Sequence, residues 1–333
     1  MTKGTFGCPF FSGSTCLLNR RIDQEGRNKW AGPVFGHFMS GGQRVRFARV
    51  LDCWSAPLIS PLALRMTPVG AAQPRAIGAL QLVAVFGRGC SQISGLRQQG
   101  SLKVLFPRPA GAALEAVILN TAGGLTGGDR MQTTVETGPG AHVVVSTQAA
   151  ERAYRAQRGS RAEVDVTLTV AAGGRIDWLP QETILYEGCA LARRLRVNLA
   201  SSAKVLLVEP LIFGRAAMGE TLRNALLRDR WDICRDGQFL FVDALHLTGD
   251  VQALLDRTGG AGAMASLMYA GSDAGRFLNM VRSLIPATAG ASLIRDGLLF
   301  VRILAHDGFD LRKVLFPVIE CLSAAPLPKV WRL

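Results

Sequence analysis

The chain has little of what most chemistry-bearing folds draw on. Its 333 residues include four histidines (His37, His142, His246 and His306), none with another histidine or a cysteine three or four positions away. A tight transition-metal centre uses clustered imidazoles and thiolates, so none is expected. The seven cysteines are scattered, odd in number and without a C-x-x-C pair, which excludes a disulfide framework and a zinc ribbon and points to a cytoplasmic setting. Aromatic residues make up 7%, too sparse for evident base-stacking platforms. No uncharged apolar run reaches the roughly 18 residues of a membrane span, and nothing near Met1 resembles a secretory signal.

What is present is a hydrophobic content of 48%, enough to bury a core, and a net charge of +13. The charge is uneven. Residues 1–75 hold ten Lys/Arg against three Asp/Glu, or +7, leaving +6 for all that follows. The basic residues are mostly single arginines, with short clusters such as Arg193-Arg194-Leu195-Arg196. That pattern fits an acidic protein partner better than nucleic acid. Residues 1–75 are also rich in Gly, Pro, Ser and Arg and show no sustained period. They are expected to be disordered or a non-native extension, with Met66 as a sensible start. Residues 76–333 are expected to form one domain.

The densest motif is Asn120-Thr-Ala-Gly-Gly-Leu-Thr-Gly-Gly-Asp129. Dense glycine after an apolar run signals a sharp turn or a close backbone approach. A phosphate cradle is excluded, because Asp129 and Arg130 stand where a P-loop needs Lys and Ser/Thr. A dinucleotide fingerprint is excluded too, because the β-branched stretch that follows reads as a strand rather than a helix.

Short β-type segments dominate to about residue 250, with candidates at 101–106, 113–119, 131–137, 142–147, 162–170, 175–178, 191–199, 204–209 and 238–245. An internal echo runs through them. The stretch from Val135 to Gln148 resembles that from Leu168 to Gln181 and that from Val197 to Pro210, each strand, small-residue turn, strand and polar break. Units at roughly 30-residue spacing suit mainly-β, β-helix-like stacked sheets; an antiparallel sandwich is the alternative. Helical spacing at 273–284 and 309–322, around a strand at 298–304, adds a small helical C-terminal section.

Five segments in order then resemble one family, the urease accessory protein UreD, also called UreH. They are Thr121-Ala-Gly-Gly-Leu-Thr-Gly-Gly-Asp129, Thr147-Gln-Ala-Ala-Glu-Arg-Ala-Tyr-Arg155, Trp178-Leu-Pro-Gln-Glu-Thr-Ile184, Phe213-Gly-Arg-Ala-Ala-Met-Gly-Glu220 and Pro326-Leu-Pro-Lys-Val-Trp331. The resemblance implies a β-helix-like stack and a non-catalytic protein. It implies binding to apo-urease and to the accessory proteins UreF and UreG, the latter a GTPase, for nickel insertion. A tunnel is a proposed nickel route in that family. Here it would carry Ni2+ transiently, with no tightly bound cofactor.

Carboxylates suit such a path, and the candidates are Asp129, Glu151, Glu209 and Asp243. Asp129, Glu209 and Asp243 fall where the family tends to carry an acid; for Glu151 the correspondence is looser. Asp129 has a competing role in accepting backbone N–H bonds within its turn, and strand alternation can place Glu209 and Asp243 on a solvated face. Gly123, Gly124, Gly127, Gly128, Tyr154, Glu182, Arg215 and Glu220 are assigned to turn structure, local hydrogen bonding or an interface. A β-solenoid enzyme acting on a polysaccharide is the alternative function; it would need paired carboxylates along a groove, and no carboxylate ladder is evident.

Overall fold

Three corners of equal length set the path of the chain: Gly138-Pro-Gly-Ala141, Ala171-Ala-Gly-Gly174 and Ala200-Ser-Ser-Ala203. They are small because they lie on one another. Gly140 N donates to Ala172 O, Arg175 N to Ala141 O and Lys204 N to Gly174 O. A Cβ on Gly174 would sit 2.9 Å from Thr137 Oγ1. A computed structural model describes residues 73–108 and 111–332. The expectation for residues 1–75 falls, but for its last three residues, outside them.

The chain opens with a hairpin, Ile77–Gly87 (β1) and Cys90–Gly100 (β2), followed by Leu102–Leu105 (β3) and Leu114–Asn120 (β4). Two coils each place a strand on either side of a corner and a short third strand beyond. The first is Arg130–Thr137 (β5), His142–Thr147 (β6) and Glu151–Ala153 (β7); the second is Ala162–Val170 (β8), Arg175–Leu179 (β9) and Thr183–Leu185 (β10). Ala190–Leu199 (β11) and Lys204–Phe213 (β12) complete a third. Then come Ala225–Arg235 (β13), Gln238–Gly249 (β14), Val251–Arg257 (α1), Ala263–Ala270 (β15), Ala274–Leu284 (α2), Ala289–Arg295 (β16), Leu298–Ala305 (β17) and Gly308–Leu322 (α3).

Two sheets result. The first runs β14-β13-β11-β8-β5-β1-β2 and the second β16-β17-β15-β12-β9-β6-β4-β3. The centre of each is parallel, and antiparallel strands close every edge. The internal echo is this stack. Val135, Leu168 and Val197 pair on one level of the first sheet, and His142, Arg175 and Lys204 on one level of the second. A third ladder of β7, β10 and the end of β12 is extended by Leu125 bridging Ala153. The parallel stack rules out the antiparallel sandwich.

The first sheet alternates buried and exposed residues, as on β1 and β5, because one face is solvated. The second is covered on both. Its inner face packs on the first sheet around Leu168, Ile176, Val197 and Leu207. Its outer face packs under α2 and α3 through Leu179, Leu206, Leu267 and Leu315. Every residue of β15 is therefore buried. With no alternation to read, β15 is absent from the expected strands, as are the hairpin of apolar β1 and polar β2 and the charged β13. Helices α2 and α3 lie where helical spacing predicts them.

A buried acid pins the end of α3 to the second sheet. Asp177, on the outer face of β9 and fully buried, accepts from Arg175 Nε (2.7 Å) and Ser323 Oγ (3.1 Å) and lies 3.1 Å from His142 Nε2. Arg175 in turn donates to Leu322 O at 2.7 Å. Burial alone pushes the Asp177 carboxyl up; the His142 hydrogen bond and the Arg175 guanidinium outweigh it and hold the pKa below its ordinary value.

The glycine stretch is a turn that starts the third ladder. Asp129 accepts Ala76 N on Oδ1 and Thr126 N on Oδ2, each at 2.8 Å. Gly124 has φ +149°, and a Cβ there would meet Tyr154 Cε2 at 2.3 Å and Arg152 O at 2.8 Å. Gly123 has φ +78° with open space around it.

Two measurements check this frame. Gly124→Ala should cost about 3 kcal/mol and Gly123→Ala only about 1 kcal/mol by chemical denaturation; equal costs would remove the close approach of Tyr154. Asp177→Asn should cost roughly 2 kcal/mol at pH 7. A carboxyl with a depressed folded-state pKa stabilises above its unfolded value of about 4 and loses that stabilisation as pH falls through the folded value. The gap between wild type and Asp177→Asn should therefore close in strong acid, and a pH-independent gap would contradict the ion-paired carboxylate.

Candidate functional site

On β11 the inward positions are Leu191, Leu195, Val197 and Leu199, and Arg193 falls in the same phase. On β13 Leu227, Trp231 and Ile233 point inward, with Asp229 in phase among them. On β12 Leu207 and Leu211 point inward, with Glu209 between them. Strand alternation thus drives an arginine and two acids into the space between the sheets. There one Arg193 terminal nitrogen lies 3.0 Å from Glu209 Oε2 and also bonds Asp229 Oδ2. Its other terminal nitrogen donates to Thr183 Oγ1 at 3.1 Å. Trp178 and Trp231 donate their ring N–H groups to Glu209 at 3.2 and 3.4 Å.

With both acids ionised, the cluster would hold one more negative charge than positive. Burial pushes the Glu209 carboxyl up; Arg193 opposes this and Asp229 adds to it. Arg193 Nε and Asp229 Oδ1 are buried without a hydrogen-bond partner among the described residues.

A cavity of about 210 Å3 reaches this cluster. Arg193, Glu209, Thr183 and Trp178 line it, as do Asn120 and Glu151. The exposed Gln148, Ala149 and Arg152 line it too, which puts its mouth where the third ladder departs from the second sheet. Glu151 accepts from Asn120 Nδ2 at 3.1 Å, and the same amide group donates to Gly124 O in the glycine turn. Burial raises the Glu151 carboxyl as well, against that hydrogen bond.

Polar groups continue beyond the cavity. Glu209 pairs across the strands with Ser266 on β15, and Ser266 with Arg302 on β17. Arg302 bonds Asp243, which stands opposite Trp231 on β14. Glu209 is therefore buried, and Asp243 is half-buried beside Arg302 rather than on a fully solvated face. Three of the four expected acids, Glu151, Glu209 and Asp243, follow one band that is buried at Glu209 and half-buried at its two ends. Asp129 does not line the cavity; each of its oxygens accepts a backbone N–H.

The other motif residues have local work. Tyr154 donates to Gly123 O at 3.2 Å and packs edge-on against Tyr186, over which Arg215 stacks at 4.4 Å. Glu220 grips Arg215 through two hydrogen bonds of 2.9 and 3.0 Å. Gly127 and Gly128 admit Ser160 and Arg75, whose atoms would meet a Cβ at 2.1 and 3.1 Å. Glu182 pairs with Arg312 on α3. Among the described residues His306, Asp307 and Asp310 bring possible ligand atoms together, but on the exposed start of α3, where Asp307 already caps Asp310 N. Sequence reasoning missed Arg193, Asp229, Ser266 and Arg302. The available signal was phase, a charge at an inward position of an otherwise apolar alternation.

No helix among the described residues is long and apolar enough to cross a membrane. A family model described as UreD urease accessory protein matches residues 76–332. The urease accessory protein UreD of Ruegeria pomeroyi is 49% identical over 245 residues, covering 73% of this chain and 95% of that protein. That of Roseobacter denitrificans is 46% identical over 264 residues, covering 78% and 96%. That of Rhizobium leguminosarum bv. viciae is 46% identical over 274 residues, covering 80% and 100%. With its glycine turn, its stacked coils and a match across nearly all the described residues, this chain belongs to the UreD family of urease accessory proteins.

Proposed function

We propose that this chain is a non-catalytic maturation scaffold of the cytoplasm. It binds apo-urease together with UreF and the GTPase UreG, and its interior gives nickel a polar route toward the urease active site. Nickel is cargo here, held transiently and handed on.

The observation that carries this reading is the polar band. Glu151 stands at the cavity, the Arg193–Glu209–Asp229 cluster at its depth, and Asp243–Arg302 beyond Trp231. Charged groups in an apolar interior carry a desolvation penalty of several kcal/mol per ion. Replacing a buried ion pair with packed apolar side chains is often neutral or stabilising, so packing alone does not explain the buried Arg193–Glu209–Asp229 cluster. A conduit does, because it needs oxygen ligands that bind an ion weakly enough to release it. A sugar-cleaving site is not favoured, since two catalytic carboxylates must both face a substrate groove and Glu209 is roofed by two tryptophans and an arginine.

Glu209→Gln combined with Asp243→Asn keeps side-chain shape while removing two charges from the band. Co-expressed with urease and its other accessory proteins, this variant should still assemble in a pull-down. Nickel bound per urease should fall roughly tenfold, the lower end of what is lost when groups around a metal are changed. Normal nickel content alongside normal assembly would refute the conduit.

A further inference from the structure

We propose that Arg193 is a tethered cation standing in the position of a divalent ion between Glu209 and Asp229, and that it gates the interior route. The proposal rests on the conduit reading above and adds to it a moving part and a basis for ion selection.

Three features of the cluster point this way. First, carboxylate oxygens from two different strands, Glu209 Oε2 and Asp229 Oδ2, converge on one nitrogen of Arg193. Oxygens that converge on one point are arranged as they would be around a small cation. Second, the guanidinium is held imperfectly. A forked, two-nitrogen grip on a single carboxylate is the strong arrangement for arginine. Here one nitrogen is shared, Nε is unpartnered and Asp229 Oδ1 is unpartnered. Third, there is somewhere for the side chain to go. Arg193 lines the cavity, its second terminal nitrogen already rests on Thr183 in the cavity wall, and the other carboxylate lining that cavity is Glu151.

Charge bookkeeping favours a divalent ion for the exchange. With both acids ionised and the guanidinium in place, Glu209 and Asp229 are left one charge short of neutral. A divalent ion in that place neutralises both acids, and the displaced guanidinium faces Glu151. A monovalent ion restores only what the guanidinium already supplied and gains nothing. Arginine cannot yield by losing its proton, since the guanidinium stays charged throughout the accessible pH range and, burial notwithstanding, the two acids raise it further. The gate therefore opens by displacement and not by titration.

Ni2+ binding to the full-length purified chain, by calorimetry and by nickel retained after dialysis, tests this. Arg193→Gln should bind Ni2+ about tenfold more tightly, release it more slowly, and deliver less of it to urease. Arg193→Lys keeps a tethered cation and should retain nickel as wild type does, which a merely structural role for the arginine would not require. Removing one partner of a buried ion pair can unfold a protein. Asp229→Asn therefore serves as the second variant: it leaves Arg193 matched by Glu209 alone, removes one of the two ligands, and should retain less nickel than wild type. Wild-type retention in whichever of these two folds overturns the gate, as does equal tightening in Arg193→Lys. If those results come while Glu209→Gln with Asp243→Asn still lowers delivery, the gate fails and the conduit stands. If that double variant delivers nickel normally, the conduit has failed and the gate with it.

Discussion

A parallel strand has no hairpin to fix its register, so each coil of this chain is positioned by the coil before it. The corners do this work. They are equal in length, built from small residues, and hydrogen-bonded one to the next, so that the strands they join begin at matching levels. Once the levels match, every inward side chain lies directly over another. Val135, Leu168 and Val197 form such a column, and an apolar column of similar residues packs without voids. The same constraint makes an inward charge conspicuous, because it is stacked on whatever the adjacent coil places at that level. Arg193 has Val164 on one side and Asp229 on the other. The charged cluster thus begins at the last parallel pair of the first sheet, β11 with β13, next to the antiparallel strand β14.

The wall of the cavity is held from both sides. Trp178 turns inward from β9 and donates to Glu209, while Trp331 packs on the outer face and donates to Leu179 O at 2.8 Å. The residues that follow are equally occupied. Gln181 donates to Val330 O at 2.6 Å, and Arg312 on α3 bonds both Gln181 and Glu182. The polar break after β9 is therefore a seam where the C-terminal segment is sewn to the second sheet. This couples the cavity mouth to α3 through direct contacts, and it explains why the motif around Pro180 and the one ending at Trp331 occur in the same chain.

Much of this was legible because the repeat was. The echo from Val135, Leu168 and Val197 coincides with the observed register residue for residue, since equal corners keep sequence spacing and structural level in step. Asp129 was legible as far as its two competing roles, and the structure shows each of its oxygens accepting a backbone N–H. Other features had no local signal. Arg193 sits in a cluster of three arginines within four residues and reads as a basic surface until its phase with Leu191 and Leu195 is considered. Asp243 follows a bulge opposite Ile233 and Cys234 that resets the alternation of β14, so its face could not be counted from the strand alone. The contacts from Glu209 to Trp231 and from Asp243 to Arg302 join distant segments, and only the fold brings them together.

The electrostatics of the band bear on why it would suit an ion in passage. Glu151 and Glu209, the two carboxyls lining the cavity, are both raised by burial, so each is disfavoured as an anion where it stands. A cation entering the cavity relieves both at once, which draws it in from the mouth. Were the acids left alone with it, the same low-dielectric surroundings would hold the ion too firmly to release. Arg193 limits that grip, because an ion reaching Glu209 must compete with a charge that is already there and cannot diffuse away. Attraction at the mouth and competition at the depth act in opposite directions on one ion, and a route that transfers metal rather than storing it needs both.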